Sequence, residues 1–220
     1  MELSPDSIVY LEIAGFEISA TLFFTVVVSL FLVIGSWLIT RNLSSGTEIS
    51  RRQNVLESVV STIRNEIEQI TQEDAAPYLP FVGTLFLFIL VSNVIGTIPR
   101  FESPTGSLST TVALALIVFL AVPFFSIRRK GVRGYLENFI KPTPIMLPFN
   151  IISEISRTLA LAIRLFGNMM SGRLLVAIML SIVPVFVPVA LHMLNLLIAV
   201  IQAYIFAILA MVYIATATRE

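Results

Sequence analysis

The stretch SEISRTLALAIRLFGNMMSGR, from Ser153 to Arg173, contains three arginines and a glutamate in a segment otherwise apolar enough to cross a bilayer. A charged side chain near the middle of the hydrocarbon region costs roughly 2.5–3.5 kcal/mol on insertion scales, so such residues usually face protein, water or a moving ion. No acidic residue lies three or four positions from Arg164. Because a guanidinium stays charged at any relevant pH, we expect the partner of Arg164 to come from elsewhere.

The composition of the whole chain requires lipid as a solvent. Of its 220 residues, 56% are apolar and only 13% are charged, and the mean hydropathy is +0.92. One soluble core cannot bury so much apolar surface. The 14 basic and 14 acidic residues cancel, and no basic tail or RNA-type aromatic motif indicates a nucleic-acid partner. The lack of cysteine excludes disulfides, Cys-ligated zinc and thiol catalysis. No cofactor or metal site is predicted.

The distribution of apolar runs predicts an all-α, polytopic membrane protein with about five membrane-embedded helices. Runs of spanning length occupy residues 18–40, 78–99 and 108–127. Two longer segments, 148–182 and 189–217, are separated by prolines and form a predicted helical hairpin. Both exceed the roughly 20 residues that a perpendicular span needs, so we expect strong tilt or a bend.

Three polar segments complete the predicted organisation. Residues 1–17 have four acidic side chains and no Lys or Arg, which argues against a cleavable signal peptide and predicts an external N-terminal segment. Residues 47–74 have apolar side chains at helical spacing, which indicates an amphipathic helix on the membrane surface or against partners; a solvated linker helix is the alternative. Residues 128–147 are basic and contain prolines, which is typical of a connection along the membrane surface.

The placement of Lys and Arg predicts the orientation of the chain. Four lie in residues 41–76, five in residues 128–147, one in residues 100–107 and none in residues 1–17. Cytoplasmic loops are richer in Lys and Arg than external ones. We therefore predict an external N-terminus, a cytoplasmic C-terminus and cytoplasmic positions for the two basic connections.

Each helix of the predicted hairpin has a polar flank. At 100° per residue, Arg157, Arg164 and Asn168 share a face, and Glu154 can reach Arg157 at i,i+3. Arg173 lies nine residues after Arg164, on about the opposite side and roughly 13 Å closer to the outer surface. We expect Arg173 to snorkel rather than pair. The alternative for Arg157 and Arg173 is an ion pair or an interfacial anchor.

The second helix aligns Asn195, Gln202 and Tyr213, with His192 one turn earlier. This alignment favours a water-lined path. The alternative is that these side chains only form hydrogen bonds across the bundle.

The motifs LALAIRLFGNMMSG at residues 159–172 and IQAYIFAILAMVYI at 201–214 strongly resemble the subunit a family of the F-type ATP synthase. FVGTLFLFILVSNVIGTIP at 81–99, STTVALAL at 109–116 and IKPTPIMLPFNII at 140–152 resemble the same family in the same order. The resemblance covers about residues 77 to 217, and RLFGN followed by IQAYIF is a highly specific combination.

This resemblance implies a stator beside a rotating ring of c subunits, each with one ion-carrying carboxylate in mid-membrane, together with peripheral-stalk b subunits. It implies that Arg164 is the family's essential arginine, Asn168 the asparagine of RLFGN and Gln202 the glutamine of the final helix. Arg157 takes a usually basic position. The implied activity is coupling of transmembrane proton flow to ring rotation and ATP synthesis or hydrolysis, in a bacterial plasma membrane, with no phosphate chemistry in this chain.

Two departures concern the family's outer half-channel. Arg173 replaces a common glutamate, and Asn195 replaces a common histidine. Ser107 and Ser109 stand where Asp and Asn are usual. The remaining candidates for the outer route are His192, Ser107, Ser109, Asn93 and Glu102. We expect proton transport; a sodium-translocating version of the same subunit is the alternative.

Two other classes of function are possible for a polytopic chain. An independent secondary transporter or channel would also use mid-membrane Arg and Gln, but the sequence shows no internal repeat and no paired discontinuous helices. An intramembrane enzyme would need a catalytic constellation, and the chain has one His, no Cys, no HExxH and no GxSxG.

Overall fold

The computed structural model describes residues 9–13, 16–41, 51–98, 101–140, 145–183 and 186–219. These residues form two short strands and six α-helices. In chain order they are β1 (Val9–Ile13), β2 (Phe16–Ser19), α1 (Ala20–Thr40), α2 (Arg51–Thr71), α3 (Leu79–Ile95), α4 (Leu108–Ile140), α5 (Met146–Ile182) and α6 (Phe186–Arg219).

The predicted all-α, polytopic membrane class is confirmed. Within the described ranges, four helices are long and apolar enough to cross a membrane, namely α1, α4, α5 and α6, and α3 is a shorter apolar helix. The antiparallel β1–β2 pair, in which Val9 faces Ser19, was not predicted. In β2, the apolar residues Phe16 and Ile18 alternate with Glu17 and Ser19, a two-residue period that is typical of a strand.

Helices α3, α4, α5 and α6 pack around two apolar clusters. In the first cluster, Leu161 and Leu165 of α5 contact residues of α3, α4 and α6, including Ile89 and Phe206. The second cluster joins α2, α3, α4 and α6 and includes Tyr78, Val82, Met211 and Ile214. By contrast, α1 is mostly exposed and packs on α3.

The apolar flank of α2 packs against the chain's own bundle. Ile67 is only 2% exposed, and Ile63 and Ile70 pack beside it. The Tyr204 hydroxyl of α6 donates a hydrogen bond to Glu66 Oε2 at 3.1 Å. These contacts place the C-terminal half of α2 against α6.

Helix α4 extends beyond the predicted end at residue 127 and continues to Ile140. Much of the predicted connection, residues 128–147, is therefore helical, and its position along the membrane surface stays a prediction. The physical reason for the helix is that this segment contains no proline before residue 142. Two helical parts meet in a kink at Gly131, whose φ of 76° and ψ of 169° suit a residue without Cβ.

Two contacts hold the far half of α4 to its neighbours. The Arg129 guanidinium forms a bidentate ion pair with the Glu73 carboxylate, which links α4 to the segment between α2 and α3. The Ser126 hydroxyl donates to the Ala217 carbonyl at 2.9 Å, which links α4 to the end of α6.

The hairpin of α5 and α6 dominates the second half of the chain. The two helices contain 37 and 34 residues, or about 55 and 51 Å at 1.5 Å per residue. Both lengths exceed the roughly 30 Å hydrocarbon thickness, so part of each helix must tilt or leave the core.

Candidate functional site

Arg164 lies at the midpoint of α5, eighteen residues from Met146 and eighteen from Ile182. Leu161 and Leu165 on either side are buried in the first apolar cluster, and their packing sets the rotation of the helix. The Arg164 side chain is consequently exposed on the face of α5 that points away from the first apolar cluster. It makes no hydrogen bond or ion pair with any residue in the described part of the chain.

Small and polar side chains lie above and below Arg164 on the exposed side of α5. Ala160, Asn168 and Ser171 lie on the same exposed stripe at helical spacing from Arg164. Beside the stripe, Ile163 is also exposed. Small side chains at such spacing let another membrane helix approach closely. The stripe thus combines one unpaired charge with room for a neighbouring helix.

Asn168 and Gln202 join α5 to α6 one turn beyond Arg164. Asn168 Nδ2 donates a hydrogen bond to Gln202 Oε1 at 2.6 Å. Gln202 is only 3% exposed, and its Nε2 is buried without a hydrogen-bond partner in the described structure. Buried amide donors are normally satisfied. The Gln202 amide is therefore placed to donate to a group that enters the site.

A cavity of about 420 Å³ lies between α5, α6 and the segment that joins α3 to α4. Five of the six predicted ion-translocation residues line this cavity, whereas Arg164 does not. Glu102, a candidate for the outer route, lines it as well. The polar lining residues are Asn168, Arg173, His192, Asn195, Gln202, Thr97 and Glu102.

Of the two alternatives for Arg173, snorkelling and an ion pair, the structure shows the ion pair. Arg173 Nη2 forms an ion pair with Glu102 Oε2 across the cavity wall. Gly106 makes room for the guanidinium, because a Cβ at that position would lie 2.9 Å from Arg173 Nη1. Pairing replaces snorkelling because the segment after α3 brings a carboxylate within reach.

Asn195 occupies a tight contact between α6 and α5. Its Nδ2 donates to the Gly172 carbonyl at 3.2 Å. A Cβ on Gly172 would lie 2.9 Å from Asn195 Oδ1, so only glycine fits at this position without a shift. This contact forms the floor of the cavity next to Arg173.

Arg157, for which an ion pair or an interfacial anchor was the alternative, lies over an aromatic ring of α6. Within the described structure no ion pair joins Arg157 to Glu154; instead, Arg157 Cζ lies 5.7 Å from the centroid of the Tyr213 ring. A guanidinium at this distance is attracted to the face of an aromatic ring. The antiparallel register of α6 places Tyr213 beside Arg157, which the spacing within α5 alone could not indicate.

Asn93, Ser107 and Ser109 do not line the cavity. Asn93 is fully buried; it donates to the Ala199 carbonyl at 3.2 Å and accepts from Thr105 Oγ1 at 2.6 Å. Asn93 thereby connects α3 to α6 and to the segment between α3 and α4. The Ser107 and Ser109 hydroxyls lie 2.6 Å apart. Sequence reasoning missed Thr105, for which the short polar loop was the only signal.

None of the described His, Asp and Glu side chains gather in groups of three or more that could hold a metal ion. These features define an integral, multi-pass helical membrane protein whose last hairpin keeps arginine and amide side chains inside bilayer-length helices.

Comparison with known proteins identifies the family. A family model described as ATP synthase A chain matches residues 21–215. "ATP synthase subunit a 2" of Acaryochloris marina is 56% identical over 219 residues, covering 100% of this chain and 94% of the relative. "ATP synthase subunit a" of Albidiferax ferrireducens is 55% identical over 219 residues, covering 100% and 95%. The chain therefore belongs to the ATP synthase A chain family, whose members are membrane-sector subunits of the F-type ATP synthase.

This family membership confirms the resemblance seen in the sequence. The match begins at residue 21 and therefore also includes the first membrane-spanning helix, α1. Family membership, together with the apolar helices, indicates a membrane protein that takes part in ion transport and ATP synthesis.

Proposed function

We propose that this chain is the ion-conducting stator of the complex, and that it forms two ion half-channels against a ring of c subunits. The observation that supports this proposal is Arg164, an exposed guanidinium at the midpoint of a bilayer-length helix with no partner among the described residues. A lone charge at this depth is costly. A carboxylate on each subunit of a neighbouring ring compensates it.

The stripe around Arg164 suits such a ring. Ala160 and Ser171 present little bulk on either side of the arginine, and Ile163 supplies an apolar contact surface. A ring helix can then place its carboxylate next to the guanidinium while its apolar side chains meet the rest of α5. The charge of Arg164 and the small side chains beside it thus both favour a ring helix with a carboxylate as the neighbour of this stripe.

The proposed cycle starts in the cavity beside Asn168 and Gln202. An ion that enters there reaches a ring carboxylate and neutralises it, so that the carboxylate can rotate through lipid. On its return, Arg164 favours the ionised carboxylate and the ion is released toward the other side. The fixed positive charge of Arg164 also blocks direct leakage between the half-channels.

We assign the inner half-channel to the part of the hairpin that contains Arg157, Glu154 and Tyr213. There the Arg157 guanidinium lies over the Tyr213 ring. ATP chemistry belongs to other subunits, and this chain is not catalytic alone. Peripheral-stalk b subunits hold it against rotation. We place it in a bacterial plasma membrane with its N-terminus outside, as the distribution of Lys and Arg predicts.

Site-specific cross-linking tests the ring contact. Because this chain contains no cysteine, Ala160→Cys or Ser171→Cys introduces its only thiol, which can be tested against a cysteine placed near the ring carboxylate. We expect disulfide cross-links at both positions. Phe31→Cys is the matched control, since Phe31 is 62% exposed on α1. Equal cross-linking of the control, or robust ion flux through liposomes that contain this chain alone, would favour an independent transporter.

The transported ion is proposed to be the proton. ATP hydrolysis and ion uptake by the whole complex, measured with and without sodium at constant ionic strength, distinguish it from sodium. Strict stimulation by sodium, with sodium protecting the ring carboxylate from chemical modification, would establish the sodium-translocating alternative.

A further inference from the structure

The pairing of Arg173 with Glu102 has a consequence for ion entry. Both side chains line the cavity and retain partial exposure, 28% for Arg173 and 26% for Glu102. We propose that they form a charge-balanced pair that sets the affinity of the outer cavity for the transported cation. This proposal rests on the proposed function, because it assigns the cavity to the outer half-channel.

The cavity contains few charges, so each one matters. Among the described residues, its ionisable lining groups are Arg173 of α5, His192 of α6 and Glu102 of the α3–α4 segment. Helices α1 and α3 contain no ionisable residue, and neither does α4 before Arg128. With Arg173 and Glu102 paired, their charges cancel, and the lining has no net charge while His192 is neutral.

An uncompensated charge of either sign would change cation entry. Arg173 alone would repel cations from a low-dielectric cavity, whereas Glu102 alone would concentrate them there. The space above Gly106 holds the Arg173 guanidinium beside the segment between α3 and α4. Arg173 therefore also positions Glu102 on the cavity wall. Arg173 thus acts as a positioning residue, and its charge does not obstruct the path as long as Glu102 neutralises it.

The test uses the whole ATP synthase in proteoliposomes that make ATP from an imposed gradient. The proton concentration, and separately the sodium concentration, is varied on the side where ions enter. The half-saturating concentration and the maximum rate are recorded for Glu102→Gln, Arg173→Gln and the exchange variant Glu102→Arg with Arg173→Glu. Arg64→Gln is the matched control, since Arg64 belongs to an exposed ion pair with Glu68 on α2.

We expect shifts of opposite sign in the half-saturating concentration. Glu102→Gln should raise it about tenfold and Arg173→Gln should lower it by a similar factor, as expected for a single-sign charge in a cleft. The exchange variant should return close to the wild-type value, and the control should match the wild type. A purely structural pair would lower the maximum rate in both single variants without opposite shifts.

Two results would overturn the proposal: shifts in the same direction for both single variants, or an exchange variant that behaves like either of them. If Arg173→Gln does not assemble, Glu102→Gln and the exchange variant decide the question. Activity that survives loss of Arg164 would defeat the proposed function itself, so the two failures are distinguishable.

Discussion

At the scale of single residues, three arginines on one helix have three different environments. Arg164 is exposed and unpaired within the described structure, Arg157 lies over the Tyr213 ring, and Arg173 pairs with Glu102. The sequence predicted the isolation of Arg164, because its own helix offers no acid at one turn. It could not predict the other two contacts, since Tyr213 and Glu102 belong to distant segments.

The Asn168–Gln202 hydrogen bond leads to a prediction at this scale. Gln202→Leu removes the acceptor of Asn168 Nδ2 and the free donors of the Gln202 amide, while Arg164 remains. We expect ATP-driven ion uptake in membrane vesicles to fall roughly fivefold, in line with about 1 kcal/mol for one hydrogen bond. Gln202→Glu, which keeps an acceptor oxygen, should lose less. An unchanged rate in Gln202→Leu would count against a role for this amide.

At the scale of elements, features that depend on one segment could be predicted from the sequence, whereas contacts between distant segments could not. The helical spacing of polar residues indicated the polar flanks of α5 and α6, and the cavity joins Asn168 to His192, Asn195 and Gln202. The helical conformation of the segment after Gly131 was not predicted, because a basic segment with glycine resembles a loop. The position of Asn93 in a buried network also depended on α6, which lies far along the chain.

The Asn93 network predicts a stability effect at this scale. Asn93→Ala removes the links to Thr105 and to the Ala199 carbonyl, and leaves buried polar groups unpaired. We expect a loss of about 1–3 kcal/mol, seen as a lower unfolding midpoint of the purified complex in thermal scans. The control is Thr84→Val, since the exposed Thr84 hydroxyl bonds only within α3. Equal midpoints for Asn93→Ala and wild type would mean that the network contributes little.

At the scale of the whole molecule, ion pairs lie near the two ends of the helical bundle, and the proposed inside and outside faces depend on the distribution of Lys and Arg. The Arg129–Glu73 ion pair joins the basic connections, and the Arg173–Glu102 pair lies near the opposite end of the bundle. Composition alone predicted the membrane class, because no soluble core can bury 56% apolar residues at this length. The sequence predicted that Arg164 requires a negatively charged partner. It could not predict the surface that provides this partner, since we propose that the compensating charge lies outside this chain.

The proposed orientation predicts which positions a membrane-impermeant thiol reagent reaches. Ala76→Cys, between α2 and α3, should be labelled only from the cytoplasmic side, because the connection 41–76 that it ends contains four arginines. Phe186→Cys, at the start of α6, should be labelled only from outside. Labelling in right-side-out and inverted vesicles makes the comparison, and the reverse pattern would refute the orientation.

The central claim is that Arg164 couples ion movement to the ring. The most direct measurement is ATP-driven ion uptake by assembled complexes that carry Arg164→Ala, with ring and stalk subunits quantified in the same vesicles. The account predicts normal assembly and complete loss of coupled uptake, because no other described residue places an unpaired positive charge at the midpoint of α5. Coupled uptake at an appreciable fraction of the wild-type rate in Arg164→Ala would contradict it.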